Sequence, residues 1–274
     1  MNKKNSVDPN PSVERFCEDL NFASAEAYKL LRTNIMFSLP NEKKCKIIGI
    51  TSSIMGEGKS VTAINLAYTF AEAGKNILLI EADMRRPNIA KRLNLKRTPG
   101  LSNFLVGLSA EVIQKTKRHN NLYVIAAGDI PPNPAELLGS SKMQNCLKTL
   151  SERFEYIIID LPPVDIVSDA LALTRLVDGF VFAVRQNYAS KQAVREAMYR
   201  MKIVDARVLG FVLTCTKLEK KSYKYKRGKY AKYGDYYQYG YSNHDKLNKE
   251  MKNNSTNDLK KAANHDLKKE VEND

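Results

Sequence analysis

Tryptophan is absent from this 274-residue chain, histidine occurs three times and cysteine four times. Cys17, Cys45, Cys146 and Cys215 are widely scattered without a C-x-x-C pair, and the histidines are His119, His244 and His265. A structural zinc site and a disulfide framework are therefore not expected, and the cysteines read as small apolar fillers kept reduced. Long apolar runs are missing too. The longest, such as Tyr156 to Ile159 and Phe180 to Val184, are strand-sized and far from the ~20 residues that span a bilayer. Met1 to Pro11 is polar, with no apolar segment of a secretory signal, so the expected location is the cytoplasm. Acidic residues are the scarcer charge: 30 Asp+Glu face 44 Lys+Arg, a net +14. The excess is spread along the chain with no single basic stripe, so no specific nucleic-acid partner is expected.

What is present is alternation. Runs rich in Ile, Val and Leu at Lys46–Thr51, Asn76–Glu81, Leu122–Ala126, Tyr156–Asp160, Gly179–Val184 and Val208–Leu213 suit strands covered on both faces. Between them, Ser60–Ala73, Ser140–Phe154, Ser168–Leu176 and Lys191–Val204 carry a period near 3.6. This predicts an α/β fold with a doubly wound, mainly parallel sheet. Ahead of the first strand, Ser24–Phe37 reads as an amphipathic helix capped by Ser24, with Ala27, Leu30, Leu31 and Ile35 on one stripe. Residues 128–138, GDIPPNPAELL, read as a shaped loop entering a helix near Ala135. The expected organisation is a flexible segment over 1–22, one domain over 23–218, and a basic, flexible tail over 219–274 with 14 Lys+Arg and 9 Asp+Glu.

Residues 51–60, TSSIMGEGKS, follow a predicted strand and open a predicted helix, where backbone N–H groups wrap anionic oxygens. The segment Ser53, Gly56, Glu57, Gly58, Lys59, Ser60 departs from G-x-x-x-x-G-K-[ST] only at its first position, where small Ser53 replaces Gly. Lys59 supplies a point charge to the β/γ-phosphates and the Ser60 hydroxyl a ligand for Mg²⁺. The strand YIIID ends in Asp160, the expected second metal-site acid. Leu78–Asp83, LLIEAD, ends with Glu81 and Asp83 at i and i+2, which strand alternation places on one face, ~6–7 Å apart. All three acids lie at the carboxyl ends of strands, where open α/β sheets bind ligands.

Tyr223, Tyr225, Tyr230, Tyr233, Tyr236, Tyr237, Tyr239 and Tyr241 fall within 19 residues of the tail. Alone, they fit an aromatic, basic surface for nucleic acid or membranes equally well. Beside an ATP site they read as phosphoacceptors: each phosphate adds about −1.5 to −2 charge, so four would reverse the sign of the tail.

Together these motifs resemble the bacterial tyrosine kinases of capsule and exopolysaccharide synthesis, over roughly residues 23–217 plus the tail. In that family TSS-x-x-GEGKS is the Walker A loop, LLIEADMRRP is similar to a family-specific Walker A′, and YIIIDLPPV to Walker B. The resemblance implies a P-loop NTPase fold of the MinD-like type, ATP and Mg²⁺, and transfer of phosphate to tyrosine. It implies that Lys59 and Ser60 serve phosphates and Mg²⁺, that Asp83 and Asp160 hold the metal, and that Glu81, in the place of the usual Asp, helps deprotonate the attacking tyrosine. Thr214 stands where the family often has an Asn that touches adenine. Glu26, Lys29 and Arg32 resemble the E-x-x-R-x-x-R oligomerisation motif, with Lys29 for the first Arg, a weaker clamp. Implied partners are a transmembrane adaptor of the polysaccharide co-polymerase type, which recruits the chain to the inner face of the membrane, further copies arranged in a ring that phosphorylate each other's tails in trans, and other protein tyrosine substrates. The competing reading is a MinD/ParA-like switch ATPase without kinase activity; the signature lysine of those proteins is replaced here by Ile54.

Overall fold

Consecutive Ile, Val and Leu are buried only where a sheet is covered on both faces, and six of these runs form mutually parallel strands. The computed structural model describes residues 16–40, 42–164 and 169–216. All lie in the first of two units into which the chain divides, Met1–Leu218 and Glu219–Asp274. In chain order the elements are α1 (Phe22–Ser38), β1 (Lys46–Ser52), α2 (Lys59–Glu72), β2 (Ile77–Glu81), α3 (Ile89–Arg92), α4 (Leu101–Val106), β3 (Ile113–Lys115) and β4 (Leu122–Ile125). They continue with α5 (Pro134–Leu138), α6 (Ser141–Ser151), β5 (Tyr156–Asp160), α7 (Asp169–Ala172), β6 (Gly179–Arg185), α8 (Lys191–Ile203) and β7 (Val208–Thr214). The sheet order is β3-β4-β2-β5-β1-β6-β7, parallel throughout except where β3 runs against β4.

Alternation along each strand feeds two cores. Ile158 joins Ile48, Leu79 and the α2 residues Ile64 and Phe70 on one face; Ile157 and Ile159 join Phe180, Phe182 and the α6 residues Met143 and Leu147 on the other. Each such side chain contributes roughly 1.5–3 kcal/mol by leaving water. Register then fixes the functional edge, because Glu81 lies beside Asp160 and Asp160 beside Ile50. The carboxyl ends of β2, β5 and β1 therefore finish together.

Three local expectations need revision. Asn21, not Ser24, caps α1: its side chain accepts from the Ser24 N–H at 2.9 Å, so the helix starts two residues earlier. On that helix Ile35 is buried and Leu31 packs on the core, but Leu30 is exposed. The helix expected over 168–176 is reduced to the four residues of α7. Elsewhere Ser140 and Ser190 cap α6 and α8 by accepting from the N–H groups of Met143 and Ala193, and Pro134 opens α5 at a position that needs no N–H donor.

Among the described residues no helix is long and apolar enough to cross a membrane. Cys17, Cys45 and Cys146 are buried free thiols; burial pushes the first two up to about 12 and Cys146 up to about 11. Cys215, in contrast, is exposed.

Candidate active site

Between β1 and α2 the chain turns through Gly56 and Gly58, both at φ 83°, a conformation that glycine adopts without strain. Space demands glycine as well: a Cβ at Gly56 would stand 2.7 Å from the Tyr188 hydroxyl, and one at Gly58 3.2 Å from Oγ1 of Thr214. The loop and the first turn of α2 open on a cavity of about 790 Å³, lined also by Asp83, Arg86 and residues of α1.

Beneath the loop lies a buried carboxylate. Glu57 accepts from the Ser53 hydroxyl at 2.6 Å and the Ile54 N–H at 2.9 Å, and its second oxygen accepts from the Arg185 N–H at 3.3 Å. Its carbonyl accepts from the Thr214 hydroxyl at 2.7 Å. Ser53, in the place of the first glycine, is thus matched by Glu57. Both side chains are fully buried and act as internal braces. Thr214 lines the cavity, but its hydroxyl is committed to the loop.

Lys59 brings the acids together. Its ammonium is 2.7 Å from Asp83, 3.7 Å from Asp160 and 3.5 Å from the Ser60 hydroxyl. Burial alone would lower its pKa, but Asp160 and Asp83 outweigh burial and raise it, so it stays charged. Asp160 is fully buried and neither carboxylate oxygen has a hydrogen-bond partner. Burial raises its pKa to about 6, with the Lys59 charge pulling the other way. The Ala82 and Asp83 N–H groups donate to the Asp160 carbonyl at 2.9 and 3.1 Å, which sets the spacing of the two acids.

Glu81 is turned into the fold. It shares the strand end with Asp83 but is sealed from solvent, and its carboxylate accepts backbone N–H groups from Asn88, Ile89 and Ala127. Three backbone donors thus hold the Glu81 carboxylate inside the fold.

The segment after Asp83 supplies residues that sequence reasoning passed over. Arg85 makes a two-pronged contact with the buried Asp169, at 2.8 and 3.2 Å. Arg86, Arg92 and Arg185 line the cavity with positive charge. The run MRRP was visible as a motif, but only the fold shows which arginine faces which way. On α1, Glu26 and Lys29 pair with each other at 2.9 Å, and Arg32 donates to the Thr69 carbonyl of α2, so in the single chain these residues are engaged internally. Tyr223 to Tyr241 lie outside the described residues.

The AAA_31 family model, described as an AAA domain, matches residues 45–209. Tyrosine-protein kinase YwqD of Bacillus subtilis (strain 168) is 36% identical over 200 residues, covering 73% of this chain and 84% of that one. Among solved structures, the kinase domain of Escherichia coli tyrosine kinase ETK superposes with a TM-score of 0.68 at 29% identity, covering 74% of this chain and 80% of that one. The cell division ATPase MinD of Pyrococcus furiosus, at TM-score 0.52 and 23% identity over 61% of this chain and 71% of its own, shares the fold. With its phosphate loop, two buried aspartates and this relationship, the chain belongs to the bacterial tyrosine-protein kinases.

Proposed function

We propose that the chain transfers the γ-phosphate of ATP to tyrosine, with Tyr223 to Tyr241 of a second copy as the first acceptors. The observation that carries this is the buried Lys59 held between Asp83 and Asp160 under the phosphate loop. The loop amides and Lys59 bind the phosphates, and Arg86 and Arg185 add positive potential at the cavity wall. Ser60, Asp83 and Asp160 would hold Mg²⁺; the two buried Asp160 oxygens, which face the Lys59 charge and receive no hydrogen bond, fit a cation. When bound, Mg²⁺ neutralises charge on the β- and γ-phosphates. The phenol oxygen bonds to the γ-phosphorus as the bond to the β–γ bridging oxygen breaks, ADP departs, and the phenol proton passes to solvent late in a loose transition state.

The family resemblance supports a setting at the inner face of the membrane, reached through a transmembrane adaptor, with rings of the chain regulating capsule or exopolysaccharide synthesis. Further protein tyrosine substrates belong to the same reading. The domain boundaries at residues 22/23 and 218/219 are part of it.

The test is incubation with Mg·ATP, with and without a cytoplasmic adaptor peptide, followed by phosphosite mapping beside Lys59→Met. Phosphate on Tyr223 to Tyr241 that vanishes in the variant supports the kinase. ATP hydrolysis without phosphotyrosine, with the peptide present, leaves a MinD/ParA-like switch ATPase. For the trans scheme, tail-deleted active kinase must phosphorylate the Lys59→Met full-length chain.

A further inference from the structure

Glu81 ends β2, two residues before Asp83, and is entirely buried. One carboxylate oxygen accepts from two successive N–H groups, those of Asn88 and Ile89, the latter at 2.5 Å. The other accepts from the Ala127 N–H, just past β4, at 3.2 Å. A carboxylate offers about four acceptor positions, and backbone donors occupy three of them here. Donors fixed in the backbone hold their partner in place, and the one position left over is buried with it.

The segment between these anchors carries the chemistry. Asp83 pairs with Lys59 and accepts from the Arg86 N–H at 3.1 Å. Arg85 grips Asp169, and the Asn88 side chain stands 3.5 Å from the Ser60 hydroxyl. At its near end the segment is tied to β5 by the Ala82 and Asp83 N–H groups on the Asp160 carbonyl. At its far end the tie is Glu81. The glutamate length matters: from the strand end the carboxylate spans to residues 88–89 on one side and 127 on the other, and one methylene less shortens that reach by ~1.3 Å.

We propose that Glu81 is a positioning residue, a buried clamp that fixes residues 82–89 around the nucleotide cleft and takes no part in moving the tyrosine proton. This rests on the kinase reading above for its catalytic consequence, though the clamp itself is a property of the fold. Aspartate at this position would keep the charge and lose the span, whereas glutamine would keep the span and lose one acceptor.

The experiment uses the full-length chain and its Glu81→Gln and Glu81→Asp variants. Amide hydrogen exchange is followed in peptides covering residues 84–90 and 126–128. Phosphotransfer is measured with tyrosine peptides and with fluorotyrosine peptides, whose phenols are more acidic. The clamp predicts exchange at least tenfold faster in both variants, a KM for ATP raised more than kcat is lowered, and an activity loss equal for the two acceptors. Wild-type exchange rates in both variants overturn it. So does a Glu81→Asp enzyme with full kcat beside a Glu81→Gln enzyme reduced a hundredfold and rescued by the acidic phenol, because that is the behaviour of a base. Faster exchange in the variants of a chain whose wild type never phosphorylates tyrosine leaves the clamp standing and removes the kinase reading.

Discussion

Lys59 and Asp83 face each other at 2.7 Å inside the nucleotide cleft, and the same ammonium stands 3.7 Å from Asp160. The lysine therefore occupies the carboxylates that would hold the metal. Binding of Mg·ATP requires it to exchange those acids for phosphate oxygens, so the positive charge on the acids passes from lysine to metal. Mg²⁺ alone is expected to bind at least tenfold more weakly than Mg²⁺ with ADP. Titration calorimetry with and without the nucleotide checks this.

Lys59→Met should abolish phosphotransfer and also weaken the apo fold, because it leaves two buried carboxylates uncompensated. Breaking a buried ion pair from one side costs about 3 kcal/mol or more. Urea unfolding read beside the kinase assay separates the two effects, and an apo protein of unchanged stability would contradict the geometry.

Asp160 gives a pH signature. It ionises near 3.8 when unfolded and about 6 when folded, so the native state binds more protons between those values. The Asp160 contribution to stability is largest below pH 4, falls as pH rises towards 6, and then levels; the shift corresponds to about 2–3 kcal/mol. Asp160→Asn removes the ionisable group. The variant should be inactive, yet melt higher than the parent at pH 7.5 without metal and show no such gain at pH 4.

Glu57→Ala would strip acceptors from the Ser53 hydroxyl and from the Ile54 and Arg185 N–H groups. The phosphate loop then loses its brace. KM for ATP should rise about tenfold or more, each decade corresponding to about 1.4 kcal/mol, while α/β circular dichroism is retained. Ser53→Gly, which restores the commoner residue but removes the hydroxyl, should have the smaller effect.

Cys215 is exposed and lines the cavity, whereas Cys17, Cys45 and Cys146 are buried with thiols that burial keeps protonated. A maleimide at pH 7.5 should label Cys215 alone in the native chain. Prior addition of Mg·ADP should slow that labelling, and mass spectrometry after digestion reads both results.

The parallel strands, the phosphate loop and the central acids were legible because each announces itself locally: five-residue apolar runs, a Gly-x-Gly-Lys-Ser turn, carboxylates ending strands. β3 escaped notice because three residues, Ile-Gln-Lys, are too short to carry a period and pair only through their neighbour β4. Ser24 looked like a cap because the pattern of apolar residues begins after it, but Asn21, three residues earlier, takes the Ser24 N–H and starts the helix there. The fates of the two glutamates were illegible for a different reason. Glu57 and Glu81 stand in motifs rich in charge, and only three-dimensional packing shows that backbone donors from residues 185 and 127, far along the chain, turn them inward. Sequence order says which acids gather at the strand ends; it does not say which of them faces the cleft.

The sheet order has a bearing on synthesis. β1, which delivers the phosphate loop, lies between β5 and β6, and Lys46 pairs with Tyr156, more than a hundred positions later. A chain still emerging from the ribosome has the glycine turn early but no neighbour beside β1 until residue 160 is out, none on the second side until β6 follows, and no brace from Arg185 or Thr214 until those residues emerge in turn. Nucleotide thus cannot template the early stages of folding. Fragments that stop short of β6 should be catalytically silent, so a truncated product carries no risk of unregulated phosphorylation.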